Sequence, residues 1–114
     1  VPDRPEIVCI CDSTRFVKEM AAANRELTFA GAIVLAPGVF VHAEERDAGR
    51  SVTDEQKTAL DVLHLRKIDL ADRVLVVNPG GYVGESTSRE IAYARDTGKP
   101  VSFTDQPSDR ATSR

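Results

Sequence analysis

Two stretches of the chain gather residues that could do chemistry, and both sit where an apolar run gives way to a helical pattern. The first is Cys11 to Phe16 (CDSTRF), where the hydroxyls of Ser13 and Thr14 and the guanidinium of Arg15 follow a β-branched segment. The first amides of a helix lack partners and its dipole is positive there, so such a corner suits an anion. Arg15 could add a bidentate contact to phosphate oxygens; on spacing alone, a capped helix with a solvated arginine is the alternative. The second stretch is Pro79 to Glu90 (PGGYVGESTSRE). Gly80, Gly81 and Gly84 permit close backbone approach or left-handed torsions, and Ser86, Thr87 and Ser88 then form a second candidate anion nest. Glu90 falls one turn after Ser86 and shares its helical face. A carboxylate in a first helical turn is held as the anion by up to about 1 kcal/mol. Facing a sugar, it can act as a nucleophile or stabilise an oxocarbenium-like transition state; a solvated cap is the alternative. Tyr82, at the tip of this loop, either stacks on a base or hydrogen-bonds a carboxylate, or is an exposed turn residue.

The elements that must position these residues alternate between short apolar runs and longer helical patterns, as in βαβ units. Residues 6–11 (EIVCIC) read as a strand buried on both faces. Ser13 or Thr14 is expected to cap the helix that follows, with Phe16, Met20, Ala23, Leu27 and Ala30 as its apolar stripe and Gly31 as its stop. Residues 32–36 (AIVLA) form a second strand. Residues 39–52 have no sustained period and read as a functional lid or insertion, on which Phe40 and His42 could close over a base. Thr53 to Gln56 (TDEQ) matches a capping box. The helix it opens runs to about Leu70, with Ala59, Leu60, Leu63 and Leu70 facing the sheet and a second strip, Val62 and Leu65, suggesting a subunit contact. Residues 73–78 (RVLVVN) form the third strand, a helix runs from Glu85 or Ser86 to Gly98, and residues 101–103 end the sheet. The prediction is an α/β, flavodoxin-like or Rossmann-like three-layer sandwich with a parallel sheet of four to five strands. It occupies residues 1–104, with a flexible tail at 105–114. Ligands in such sheets bind beyond the carboxyl ends of the strands, where both chemistry-bearing stretches fall.

Composition narrows the partners. The 114 residues suit one domain, and 41% hydrophobic with 29% charged residues is ordinary for a soluble protein. A net charge of −3 offers no footprint for a nucleic-acid polymer. The apolar runs are too short to span a bilayer and the N-terminus has no signal pattern, so a cytoplasmic protein is expected. Cys9 and Cys11 share one face of a strand, too rigidly held for an easy disulfide. No other cysteine completes a metal site, so reduced, buried thiols and no metal or cofactor are expected.

With these residues in view, CDSTRF resembles the C-G-S-x-R phosphate loop of 2′-deoxynucleoside 5′-phosphate N-hydrolases. ADRVLVVNPGGYVGESTSREIAYARDTGKPV is similar to the strand-loop-helix of that group and of nucleoside 2-deoxyribosyltransferases, in which a Gly-rich loop is followed by E-[IL]-G-x-A and G-K-P. The resemblance spans roughly residues 6 to 102. It implies a flavodoxin-like fold, a homodimer or higher homo-oligomer, and cleavage or transfer at the N-glycosidic bond of a nucleotide or nucleoside. Carried over by position, Glu90 is the nucleophile, and Ser13, Arg15 and the hydroxyls near Ser86 surround a 5′-phosphate, together with Thr14, Gly81, Tyr82 and Thr87. PGGYVGES also resembles, with one residue inserted, the P-G-G-x-G-T-x-x-E motif of cytokinin-activating phosphoribohydrolases. Three positions depart from the pattern. Asp12 stands in place of the usual Gly in the phosphate loop, where a carboxylate about 4 Å from a phosphate costs on the order of 4 kcal/mol. His64 replaces an Asp, and is either an acid for the leaving base or a packed helix residue. Gly84 replaces Asp or Ser. A nucleotide-binding module without activity is the rival reading.

Overall fold

The computed structural model describes residues 4–13, 15–38 and 52–105; Thr14, most of the irregular loop with Phe40 and His42, and residues 106–114 lie outside them. Four strands, β1 (Ile7–Asp12), β2 (Ile33–Leu35), β3 (Arg73–Val77) and β4 (Val101–Phe103), form one sheet in the order β2-β1-β3-β4. Every pairing is parallel, with Cys9 opposite Leu35 and Val74, and Val76 opposite Phe103. The helices are α1 (Val17–Phe29), α2 (Asp54–Leu70) and α3 (Glu85–Asp96). No helix is long and apolar enough to cross a membrane among the described residues.

Alternation along the central strands divides the interior into two layers. Cys9, Cys11, Val74 and Val76 pack with Ile68 and Ala71 from α2 and its end, and with Ile91 and Ala94 from α3. On the opposite face Ile10 and Val77 meet Met20 and Ala23 of α1. The result is the three-layer, flavodoxin-like sandwich expected. Fully burying one such aliphatic side chain contributes about 1.5–3 kcal/mol, so β1 and β3 are the most firmly held elements. Beyond the carboxyl ends of these two strands, chain order reverses across the sheet, and that is where a crevice opens in this architecture.

Several local expectations need correction. Phe16, not Ser13, holds the N-cap position of α1 and makes no side-chain cap bond. The Ser13 carbonyl instead accepts from Phe16 N at 2.9 Å, closing a tight turn before the helix. Gly31 ends α1 with φ +97, as its type allows. Thr53 and Gln56 form the reciprocal capping box, at 3.0 Å in both directions. The inward face of α2, however, is His64, Leu65 and Ile68, while Leu63, Leu70 and Val62 are exposed. Leucines occur all round this helix, so apolar periodicity alone could not fix its phase. The chain also stays tied down past β4: Asn78, fully buried, donates to the Asp105 carbonyl at 2.9 Å and accepts from Asp105 N at 3.0 Å. Asp105, though exposed, is thus held to the Asn78 side chain through its backbone.

At the amino ends of the strands, Asp72 stitches the sheet together. Its carboxylate accepts from Ile7 N at 2.8 Å and from both terminal nitrogens of Arg4 at 3.0 and 2.9 Å. The Arg4 guanidinium, and then the Ile7 amide, hold its pKa down at about 2. This aspartate is structural and lies at the end of the sheet opposite the crevice.

Candidate active site

The corner after β3 begins with a short 3-10 turn, Pro79–Gly81, in which Gly80 and Gly81 take φ of +68 and +85. A side chain at either position would be strained, and the turn directs Tyr82 back toward β1. Its ring meets Phe16 edge-on, with centroids 5.7 Å apart and planes at 71°. The Arg15 guanidinium lies 5.2 Å from the same ring centroid. Gly84 makes room for this: a Cβ there would stand 3.2 Å from the Tyr82 hydroxyl. The corners after β1 and β3 therefore touch through Tyr82, itself 43% exposed. Gly84, which stands where the resembled family carries Asp or Ser, has a packing reason to lack a side chain.

Behind this contact, ionisable groups converge in the interior. Asp12 ends β1 only 8% exposed, and among the described residues neither of its carboxylate oxygens has a hydrogen-bond partner. His64 reaches in from α2 at 6% exposure, its Nε2 lying 3.6 Å from Cys9 Sγ and 3.3 Å from Cys11 Sγ. Glu90 reaches in from α3, with Oε1 buried, without a hydrogen-bond partner among the described residues and 3.8 Å from His64 Nε2. Elements distant in sequence are needed to assemble this group, and α2 supplies His64 because its phase turns that residue inward.

Burial dominates the electrostatics. It raises the Asp12 pKa to about 7, with the charge of Glu90 adding to the rise. Burial likewise pushes Glu90 above the usual carboxylate range, against the pull of His64. For His64 burial favours the neutral ring, but the Cys9 thiol and the Glu90 carboxylate outweigh it and leave the pKa raised. Within the thiol pair, the hydrogen bond with Cys11 pushes Cys9 down, and Cys11 is pushed up correspondingly. The dipole argument for Glu90 therefore fails. Helix α3 starts at Glu85, which puts Glu90 in its second turn, where the helix field has fallen off and desolvation decides.

Glu90 also borders a surface groove of about 360 Å³ between α2 and α3, with Asp61, Val62, Leu65, Ser86 and Arg89 among its walls. Of the hydroxyls in residues 86–88, Ser86 alone lines the groove; Thr87 is buried and Ser88 exposed. Ser13, Arg15, Gly81 and Tyr82 belong to the corner and not to the groove walls, so Glu90 is the residue shared by groove and interior cluster. Arg89 was not singled out in the sequence, although its spacing from Ser86 was readable; it donates to Ser86 Oγ at 3.2 Å and pairs with Glu85 at 3.7 Å. Cys9 and Cys11 are free and buried, and His64 stands beside them: the three side-chain donor atoms lie within 4.8 Å of one another.

No protein-family model matches the chain, and no curated protein does. Among solved structures it is similar to a 2-deoxyribosyltransferase from the psychrotolerant bacterium Bacillus psychrosaccharolyticus. The TM-score is 0.64 at 18% sequence identity, over 94% of this chain and 80% of that one. At this identity the likeness is one of fold.

Proposed function

We propose that the chain hydrolyses, or transfers at, the N-glycosidic bond of a nucleoside 5′-monophosphate or nucleoside, with Glu90 as nucleophile. One observation carries the reading: the Glu90 carboxylate stands between an open groove and a desolvated cluster at the point where the sheet's order reverses. In that position a Glu90 oxygen attacks the anomeric carbon as the bond to the base breaks. The base leaves with the bonding electrons and takes up a proton, and water or an acceptor then releases the sugar from Glu90. Ser13, Arg15 and Ser86 receive the phosphate, with Thr14 completing the loop and Gly81 and Gly84 letting Tyr82 span the corners. His64 is too deeply buried to meet the leaving base, so it serves as a positioning residue 3.8 Å from the Glu90 carboxylate, whose anion it favours. Asp12, neutral over most of the pH range below about 7, does not then repel a phosphate as an ionised carboxylate would. The similar fold belongs to a 2-deoxyribosyltransferase described as a biocatalyst for nucleoside synthesis, which supports glycosyl chemistry on nucleosides.

The test is base release from a panel of nucleosides and their 5′-monophosphates by purified wild type and Glu90→Ala. Loss of release in the variant is expected; equal turnover removes Glu90 from the mechanism. A binding module without turnover is the second reading, favoured by the buried carboxyl of Asp12 at the first corner. Stabilisation by nucleotides in a thermal-shift assay without base release from any of them decides for it.

A further inference from the structure

From the donor set and its spacing, we infer that Cys9, Cys11 and His64 form a binding site for a thiophilic divalent cation, zinc by its chemistry, with Glu90 closing the fourth position. The inference goes beyond the glycosidic reading and does not depend on it.

The three donor atoms of Cys9, Cys11 and His64 lie within 4.8 Å of one another, a spacing that three corners of a tetrahedral centre can take. Zinc bonds of about 2.3 Å to sulfur and about 2.0–2.1 Å to nitrogen set sulfur–nitrogen edges of roughly 3.6 Å. The two observed edges, from His64 Nε2 to Cys9 Sγ and Cys11 Sγ, are 3.6 and 3.3 Å. Glu90 Oε1 lies 3.8 Å from the same nitrogen but outside the group of three mutually close donors, so its side chain must turn inward to take the fourth position. Among the described residues Glu90 Oε1 is buried without a hydrogen-bond partner by distance, which is costly; a cation held by the thiolates and the imidazole would satisfy it. The ligands come from β1, α2 and α3, so the ion would join the central strand to both helices of that face. Two thiolates with imidazole and carboxylate select zinc over magnesium or calcium, which prefer all-oxygen sites. Binding releases the two thiol protons and leaves the imidazole coordinated through Nε2 as the neutral ring.

The experiment uses the untagged, reduced, chelator-treated full chain titrated with cobalt(II) and then zinc(II). One equivalent of cobalt is expected, with the visible d–d bands of a tetrahedral ion and a thiolate-to-cobalt charge-transfer band, both bleached by one equivalent of zinc. Cys9→Ser and Cys11→Ser, which change little volume, should each weaken the charge-transfer band and the affinity while keeping the far-ultraviolet circular dichroism. Glu90→Gln should keep the thiolate band and bind zinc more weakly. A six-coordinate cobalt spectrum without charge transfer in the wild type overturns the site, as does zinc affinity unchanged by both serine variants. Base release is not a readout here, so failure of the glycosidic reading leaves this result standing, and the converse holds.

Discussion

Asp12→Asn measures what the interior cluster costs. In an unfolded chain the carboxyl titrates near its ordinary 3.8, whereas in the native structure burial and Glu90 carry it to about 7. Between those values the native state binds the extra proton, so stability falls as pH rises from about 4 to 7 and is level above that. At about 1.4 kcal/mol per pKa unit the full penalty is on the order of 4 kcal/mol, of which roughly 2–3 kcal/mol develops between pH 5 and pH 8. Asparagine carries no charge at any of these values. It still leaves a buried amide short of partners, at a cost of about 1–3 kcal/mol, but that cost does not vary with pH. The expected result is therefore a change in slope: relative to wild type, Asp12→Asn gains roughly 2–3 kcal/mol on going from pH 5 to pH 8. Urea denaturation of both proteins at several pH values, in chelator so that the thiols and imidazole carry no metal, measures it. A difference between the two proteins that stays flat across this range refutes the reasoning, as does a gain for the wild type.

Two further outcomes follow from contacts at the two ends of the sheet. Tyr82→Ala removes an edge-on aromatic pair and a cation–π contact between the corners. It should cost about 1–2 kcal/mol in chemical denaturation, and loss of nucleotide-induced stabilisation should accompany it. Asp72→Asn should be less stable than wild type at pH 7, with the gap closing as pH falls from about 4 to 2. The native carboxylate's advantage exists only above its unfolded pKa and disappears through its folded value of about 2. An equal gap at pH 7 and pH 2 would show that the Arg4–Asp72 ion pair contributes nothing.

The sheet and its helices were legible because their signals are local. Buried parallel strands read as continuous apolar runs, the TDEQ capping box fixes the start of α2, and Gly31 marks the end of α1. Strand order pointed to the turns after β1 and β3, whereas the groove that Glu90 borders runs between α2 and α3. The interior of the site was not legible. Cys9 and Cys11 were readable as sharing a face, but His64 joins them only because α2 presents one particular side, and leucines distributed around that helix conceal which. Glu90 was identified by position and resemblance, but its electrostatics were misjudged. The helix starts at Glu85, moving Glu90 beyond reach of the dipole, and the burial that governs it comes from α2 and β1. Asn78 carried no signal at all, because its partners are the backbone of Asp105 and the Thr104 hydroxyl.

The proposed nucleophile and the proposed metal site make opposite demands on the same atoms. As a nucleophile, Glu90 needs a free oxygen directed at the groove and a protonated His64 behind it. As a ligand, its Oε1 turns inward, and His64 Nε2 gives its lone pair to the ion. A carboxylate bound to the ion through Oε1, beside an imidazole whose lone pair is taken, is a weaker nucleophile at its other oxygen. Zinc should therefore suppress base release by the wild type in proportion to occupancy of the thiolate site, and chelator should restore it. In a Cys9→Ser, Cys11→Ser double variant the same zinc concentration should leave base release untouched. Inhibition that persists in that double variant would place the inhibitory ion elsewhere and separate the two sites.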